Sequence, residues 1–442
     1  MRPHRSESRN GWRNAWRALE SRNYRLFFMG QGLSLIGTWM TFIARSWLIY
    51  RLTGSAAALG ISGFLSQIPS FFLAPFAGVL IDRVDRRKVL LITQALVMLH
   101  SFTLAFLTLT GRIEVWHIYL LSGLQGFANA FDMPTRQAFV VDMVERKEDL
   151  GNAITLNSAL VNGARMIGPS IAGFLIAAFG EGVCFLLDGL SYCFVLGAIR
   201  MMRLPPRTAP PKETPVLHDL REGFRYLRQS TCIQSILALL ALVSLMGMPY
   251  TVLMPIVTRE VFGGGPNLLG LLLTVTGAGA LVGLAFLATR TTVLGFGKII
   301  PASAALFGAG LVVFSCSRVL WLSLPFLLVI GFGMVVEFAS SNTLLQTIVD
   351  EDKRGRVMSF YTVAFQGMSP FGSLLAGTLA TAIGAPRTLL LGGVSCLIGA
   401  VLLSSRLPAI QEEVRPIYRK LGILPEVTTG IQSTRWIPPR EE

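Results

Sequence analysis

Asp132, Arg165, Glu337 and Arg45 stand inside long apolar stretches of the chain. A carboxylate or guanidinium in such a setting is costly to hold, so it faces an interior, pairs with another group, or serves ions and substrates. The chemistry open to these four is uptake and release of a proton or attraction of a charged ligand. Covalent chemistry lacks its usual residues. There is no Gly-x-x-x-x-Gly-Lys-Ser/Thr loop, no His/Cys metal cluster and no nucleophile elbow. The sequence therefore predicts no enzyme activity, no cofactor and no metal.

Asp132 and Arg165 lie about 15 and 18 residues from a turn near Lys147, at ~1.5 Å per residue along a helix. Equal depth on adjacent antiparallel helices predicts an ion pair between them, lining a cavity floor. The alternative is an intrahelical Asp132–Arg136 pair at i,i+4. Glu337 is the repeat equivalent of Asp132, yet its partner helix offers Ser369 where the other half has Arg165. An intramembrane acid without a local cation makes Glu337 the first candidate for proton coupling, with Asp132 and Arg165 beside it. The alternative for Glu337 is a carboxylate that only hydrogen-bonds a neighbour. Arg45, toward the end of its stretch, either snorkels or binds an anionic substrate. His100 reads as a satisfied buried histidine, and Asp188 as an acid near an interface.

Polar residues around these charges recur at steps of three and four. Gln31, Ser34, Thr38, Thr41 and Arg45 form one stripe, and Ser122, Gln125, Asn129, Asp132 and Arg136 a second. Asn152, Thr155, Ser158, Asn162 and Arg165 form a third, and Ser359, Thr362, Gln366, Ser369 and Ser373 a fourth. A polar stripe on a spanning helix turns away from lipid, toward another helix or an aqueous cavity. Gln31, Thr38, Arg45, Gln125, Asn129, Asn162 and Gln366 are accordingly the candidates for a substrate cavity.

The elements that position these residues are spanning helices. The 442 residues are 52% hydrophobic and 14% charged, against about 25% charged for a soluble domain. Of the 39 Lys and Arg, Arg51, Arg112, Arg259, Arg318 and Arg387 fall on one side of the membrane. Arg45 and Arg165 lie within spans, and all the rest fall on the other side. That asymmetry accounts for the net charge of +14 without nucleic acid and places the basic side and both termini in the cytoplasm. The five cysteines lack ligand spacing and read as small core residues.

Residues 1–23 form a basic segment lying on the membrane surface. Six spans fill 24–203, a proline-led linker ending in an amphipathic helix fills 204–230, and six more spans fill 231–405. Residues 406–442 are a cytoplasmic tail. The two halves are related. A shift of 204 carries Gly163, Gly168 and Gly173 onto Gly367, Gly372 and Gly377, and a shift of 205 carries Gly126 and Asp132 onto Gly331 and Glu337. The expected fold is all-α and membrane-integral, with twelve transmembrane helices in two pseudo-symmetric six-helix bundles. In such repeats the substrate site lies between the halves.

Between the second and third spans runs Gly78-Val-Leu80-Ile-Asp82-Arg83-Val-Asp85-Arg86-Arg87-Lys88. It resembles the loop signature Gly-x-Leu-x-Asp-Arg-x-x-Arg-Arg of the major facilitator superfamily. The run Asn162-Gly163-Ala-Arg165-Met-Ile-Gly168-Pro169-Ser-Ile-Ala-Gly173 is similar to the fifth-helix packing motif of that superfamily's exporters, with Ala164 and Ala172 replacing two glycines. Gln125-Gly-Phe-Ala-Asn-Ala-Phe-Asp132-Met-Pro134-Thr-Arg136 and Glu222-Gly-Phe-Arg-Tyr-Leu-Arg228 look like the enterobactin-exporter branch. Many proton-coupled exporters carry arginine where Ser122 stands, which shifts weight onto Asp132, Arg165 and Glu337.

The resemblance implies a monomeric exporter of the bacterial inner membrane, carrying siderophores or amphipathic drugs against a proton flow, surrounded by lipid. It also implies that Gly78, Asp82, Arg83, Arg86 and Arg87 latch one conformation. An importer or lipid flippase of the same fold is the runner-up, and a transport-inactive scaffold or receptor is the reading from another class.

Overall fold

In the computed structural model of the protein, residues 16–203, 225–228, 230–290 and 292–420 are described, and at positions 74, 75, 78–80, 82, 83, 147, 352 and 420 the backbone alone. Twelve long helices follow one another across these residues. The first half holds α1 (Arg22–Thr53), α2 (Ala56–Arg83), α3 (Arg86–Leu109), α4 (Val115–Met143), α5 (Leu150–Phe179) and α6 (Glu181–Met201). The second holds α7 (Thr231–Val261), α8 (Pro266–Ala288), α9 (Phe296–Cys316), α10 (Leu320–Ile348), α11 (Glu351–Thr362, continued by Met368–Ile383) and α12 (Ala385–Ser405). Ten are long and apolar enough to cross a membrane. The other two, α4 and α11, are as long but carry the polar stripes that lower their mean hydropathy.

Local chemistry sets the helix ends. Asp85 caps α3 by accepting from the Arg87 N–H at 2.9 Å. One glycine each makes the whole connection between α5 and α6 and between α11 and α12. Gly180 and Gly384 stand at φ 83° and 86°, a region open to glycine and strained for other residues. These two glycines are 204 positions apart, like the glycines within the halves.

The repeat extends to packing. In the first half α2 lies along α4, and in the second α8 lies along α10. A Cβ at Gly126 of α4 would sit 2.6 Å from the Ser66 carbonyl of α2, and one at Gly331 of α10 1.9 Å from the Thr276 carbonyl of α8. Equivalent glycines thus let equivalent backbones touch, the means by which spanning helices associate without a hydrophobic drive between them.

The halves meet chiefly where α5 crosses α8 and α2 crosses α11. Both crossings are tightest at the face remote from the chain ends. There Gly173 meets Gly270 and Gly60 meets Gly377, each so closely that an added Cβ would lie about 3 Å from the facing Cα. The Tyr50 hydroxyl of α1 also donates to Glu260 of α7 at 3.1 Å across this remote face. At the opposite, basic face, polar residues of the inward stripes are exposed: Asn129 on α4, Thr155 and Ser158 on α5, and Ser359, Thr362 and Gln366 on α11. The interior is therefore shut at the remote face and reached from the basic face.

Two elements differ from expectation. The tail begins with a thirteenth helix, α13 (Leu407–Lys420), whose Ile410 and Val414 are buried. Glu413 accepts from the Cys232 N–H at 3.0 Å, and the Tyr418 hydroxyl, pushed up to about 12 by burial, donates to the Val293 carbonyl. Leu407, Ile410, Val414 and Ile417 already lie at steps of three and four in the sequence. Second, α7 and α11 are not regular. Turns of π geometry interrupt α7 at Val243–Gly247 and Val257–Val261, and α11 at Val363–Gly367. The expected surface segment at the N-terminus and the linker helix fall largely outside the described residues, although Arg17–Glu20 forms a 3-10 turn and residues 225–228 are helical.

Candidate functional site

The interior of the first half is a polar core held by α1, α3, α4 and α6. Asp188 of α6 is 1% exposed. Its Oδ2 accepts from Thr41 of α1 and from Ser101 of α3, each at 2.8 Å, while Oδ1 has no protein partner. A Cβ at Gly37 would stand 2.5 Å from that Oδ1, so glycine there leaves the space the carboxylate occupies. The expectation of an interfacial Asp188 is corrected. Sequence depth put it near an end of its span, but the helices crossing over it, which no sequence count includes, seal it from both water and headgroups.

Arg45 and His100 lie in the same core. The Arg45 guanidinium is buried and donates to Gln125 Oε1 on α4. It does not snorkel, because a charge-assisted bond to an interior amide satisfies it where it stands. His100 of α3 is 1% exposed, yet neither ring nitrogen has a protein partner. It is not the satisfied histidine that the sequence suggested. Polar groups buried without partners cost about 1–3 kcal/mol each, so their retention marks a function or a second conformation that satisfies them.

Asp132 does not reach Arg165. Its carboxylate accepts from Arg136, one turn along α4, and from Thr93 at 3.0 Å and Gln94 at 2.6 Å on α3. The intrahelical pair is the geometry adopted. It has a physical advantage: the i,i+4 partner is in reach without any helix movement, and two α3 side chains fill the remaining lone pairs. Arg165 turns instead over the Trp39 ring of α1, with its guanidinium carbon 5.0 Å from the centroid.

Glu337 on α10 is fully buried in the second half. Ser341 donates to its Oε1 at 3.4 Å, Oε2 has no protein partner, and no cation faces it among the described residues. Close by, the Tyr361 hydroxyl donates to the Phe338 carbonyl at 3.1 Å. The expected lack of a local cation is what the geometry contains. Phe338 and Phe365 pack with tilted rings, centroids 4.4 Å apart, over the same stretch of α10 and α11.

The cavity candidates divide. Gln31, Arg45 and Gln125 are buried within the first half, and Thr38 contacts the Tyr192 hydroxyl at 3.0 Å while donating to the Ser34 carbonyl. Asn129 and Gln366 are exposed, and Asn162 is half-buried with its amide on the Ser158 carbonyl of its own helix. These three, with Arg165, form the part of the stripes accessible from the basic face.

In the loop signature, Arg86 donates to Asp142 and to the Ala138 carbonyl, each at 3.1 Å, and Arg87 to the Arg200 carbonyl at 2.8 Å. Gly78, Asp82 and Arg83 end α2, with surroundings outside the described residues. The packing motif works mostly at helix crossings. Gly168 admits Trp39 of α1, while the Pro169 carbonyl and Gly173 meet Gly270 across the halves; Gly163 faces open space.

Two halves that repeat each other's crossings, a polar interior and access from one face define a membrane transporter of the major facilitator class. Residues 13–428 match the family described as transmembrane secretion effector, and the chain belongs to that family. It is 26% identical over 377 residues to the staphyloferrin A transporter of Staphylococcus aureus, spanning 84% of this chain and 93% of that protein. It is 23% identical over 380 residues to macrolide efflux protein A of Streptococcus pyogenes (84% and 93%). To the multidrug efflux pump Tap of Mycolicibacterium fortuitum it is 26% identical over 385 residues (85% and 93%). In fold it is similar to a bacterial homologue of the human lysosomal transporter Spinster in an inward-facing, unoccupied conformation. The TM-score there is 0.66 at 14% identity, over 90% of this chain and 97% of that one.

Proposed function

We propose that this protein is a secondary active exporter. It moves a small amphipathic molecule, of siderophore or drug-like kind, from the cytoplasm across the bacterial inner membrane by alternating access, in exchange for protons. One observation carries the reading: the halves are sealed by glycine crossings at the remote face while polar stripes of α4, α5 and α11 lie exposed at the basic face. The positive-inside rule puts that basic face, and both termini, in the cytoplasm. An interior open on that side is poised to load from within. The names of its relatives, a staphyloferrin A transporter and efflux proteins for macrolides and multiple drugs, favour the same direction and substrate kind.

Coupling needs a group that gains and loses a proton as access alternates. Glu337 remains the first choice, because no cation neutralises it. Asp132 is already balanced by Arg136, which leaves it a supporting role. The loop Gly78, Asp82, Arg83, Arg86 and Arg87 would latch the opposite, outward-open state. Cytoplasmic cysteine accessibility that rises in Asp82→Asn supports the latch, and unchanged accessibility with unchanged transport removes it.

The deciding experiment is proton flux in proteoliposomes of the purified protein, working as a monomer, with candidate siderophores and dyes on either side. Substrate-dependent proton movement that vanishes in Glu337→Gln is the expected result. Substrate movement without proton flux would overturn antiport and leave Glu337 structural; no movement of any compound would overturn the exporter reading.

A further inference from the structure

Arg165 is the remaining charge of the interior, and its setting is unlike that of the others. Asp132 is engaged by Arg136, Thr93 and Gln94, and Asp188 by Thr41 and Ser101. Arg45 has Gln125. Glu337 lies inside the opposite half. Arg165 makes no hydrogen bond or ion pair with any described residue; its recorded partner is the Trp39 ring, 5.0 Å away. Five N–H donors in a fixed fork are thus unused, inside a span, on a half-buried side chain.

Its position is equally specific. Arg165 belongs to α5 and Trp39 to α1, and Thr155, Ser158 and Asn162 stand at steps of three and four on the same side of α5 as Arg165. A Cβ on Gly277 of α8 would come 3.3 Å from the Arg165 carbonyl. Gly277 thus packs against the α5 backbone at this level, while the guanidinium itself meets Trp39 of α1.

We propose that Arg165 is the anchor for an anionic group on the transported molecule, so that the substrate is an amphipathic oxyanion with a carboxylate on the guanidinium. A planar fork with unused donors matches a carboxylate in two parallel hydrogen bonds. Trp39 confines the guanidinium and stabilises its charge until the anion arrives. This inference rests on the transporter reading for the word substrate; the binding site stands apart from it.

The test uses the full chain in phosphatidylcholine nanodiscs and a pair of aromatic probes of opposite charge, dansylglycine and dansylcadaverine. Binding is read by energy transfer from tryptophan. Dansylglycine should bind at least tenfold tighter than dansylcadaverine. Arg165→Gln should remove that preference, and Arg165→Lys, which keeps the charge but not the fork, should restore only part of it. Equal affinities for the two probes on the unaltered protein, a comparison that needs no variant to fold, would overturn the proposal. So would an unchanged preference in Arg165→Gln. Adding phosphatidylglycerol separates the sources of the oxyanion: undiminished dansylglycine binding supports a soluble carboxylate, and Arg165-dependent displacement overturns the soluble substrate in favour of lipid. Transport of the same probes in proteoliposomes is scored separately. Export of dansylcadaverine but not dansylglycine would sink the anion site and spare the exporter, whereas dansylglycine binding without transport would do the reverse.

Discussion

The two halves of this protein share a backbone plan and divide the chemistry. At the Asp132 position of the first half, the carboxylate is balanced by Arg136 and held by two α3 side chains. At the equivalent position of the second half, Glu337 has one long hydrogen bond and no cation. The first half is a connected polar core built around Asp188, Arg45 and Gln125 within regular helices. The second is apolar and bends, with π turns in α7 and α11 that have no counterpart in α1 and α5. Such turns leave backbone groups under-used and often mark moving parts. The comparison teaches that a repeat conserves crossings, because backbone contact through glycine admits little variation, while side chains inside each bundle are free to diverge. One half becomes a rigid polar scaffold, and the other the pliable partner that closes on it.

The strongest way to break the symmetric part of that picture is to fill the shared crossings. Gly331→Ala and Gly126→Ala should each destabilise by about 1–3 kcal/mol through overpacking, with Gly331→Ala the worse because its methyl would overlap the Thr276 carbonyl. Thermal unfolding in nanodiscs measures both, and a harmless Gly331→Ala would disprove equivalent crossings. The asymmetric part is tested at the acids. Asp132→Asn should cost about 2 kcal/mol, because it strands the Arg136 charge in a partly buried site. Glu337→Gln should cost less than about 1 kcal/mol, as it strands nothing. Equal losses in the two variants would end the claim that the halves divide the chemistry.

A smaller effect is expected at the remote face. Tyr50→Phe removes the bond to Glu260 at an exposed site, worth about 0.5–1 kcal/mol, and should raise labelling of a cysteine placed at Thr53. The smallest is dynamic. Amide exchange around Val243–Gly247 and Val363–Gly367 should outpace that of the matching stretches of α1 and α5, and the reverse order would remove the idea of a pliable second half.

Much of the fold is written in single residues. Gly180 and Gly384, with the glycines at a 204–205 shift, carry the repeat, and the apolar runs between basic loops carry the spans. The candidate site was legible in part. Polar steps of three and four pointed to α1, α4, α5 and α11, and the lack of a cation opposite Glu337 could be read from Ser369. Asp188 and His100 were undervalued because depth along one helix says nothing of which neighbours cross over it.

By itself, the sequence determined the spanning class, the helix succession, the side on which the charge lies and the internal repeat, since all of these follow from composition, period and local sterics. Tertiary structure alone decided which charges pair. Asp132 had two arginines in plausible reach; Arg136 stands one turn away on α4 itself, and the packing of that face of α4 against α3 rather than α5 kept Arg165 out of reach. That choice left Arg165 over Trp39 without a counter-ion among the described residues. Pairing depends on distances of a few ångströms between helices far apart in the chain, and helical periodicity sets the face a residue shares but not the side chain that meets it.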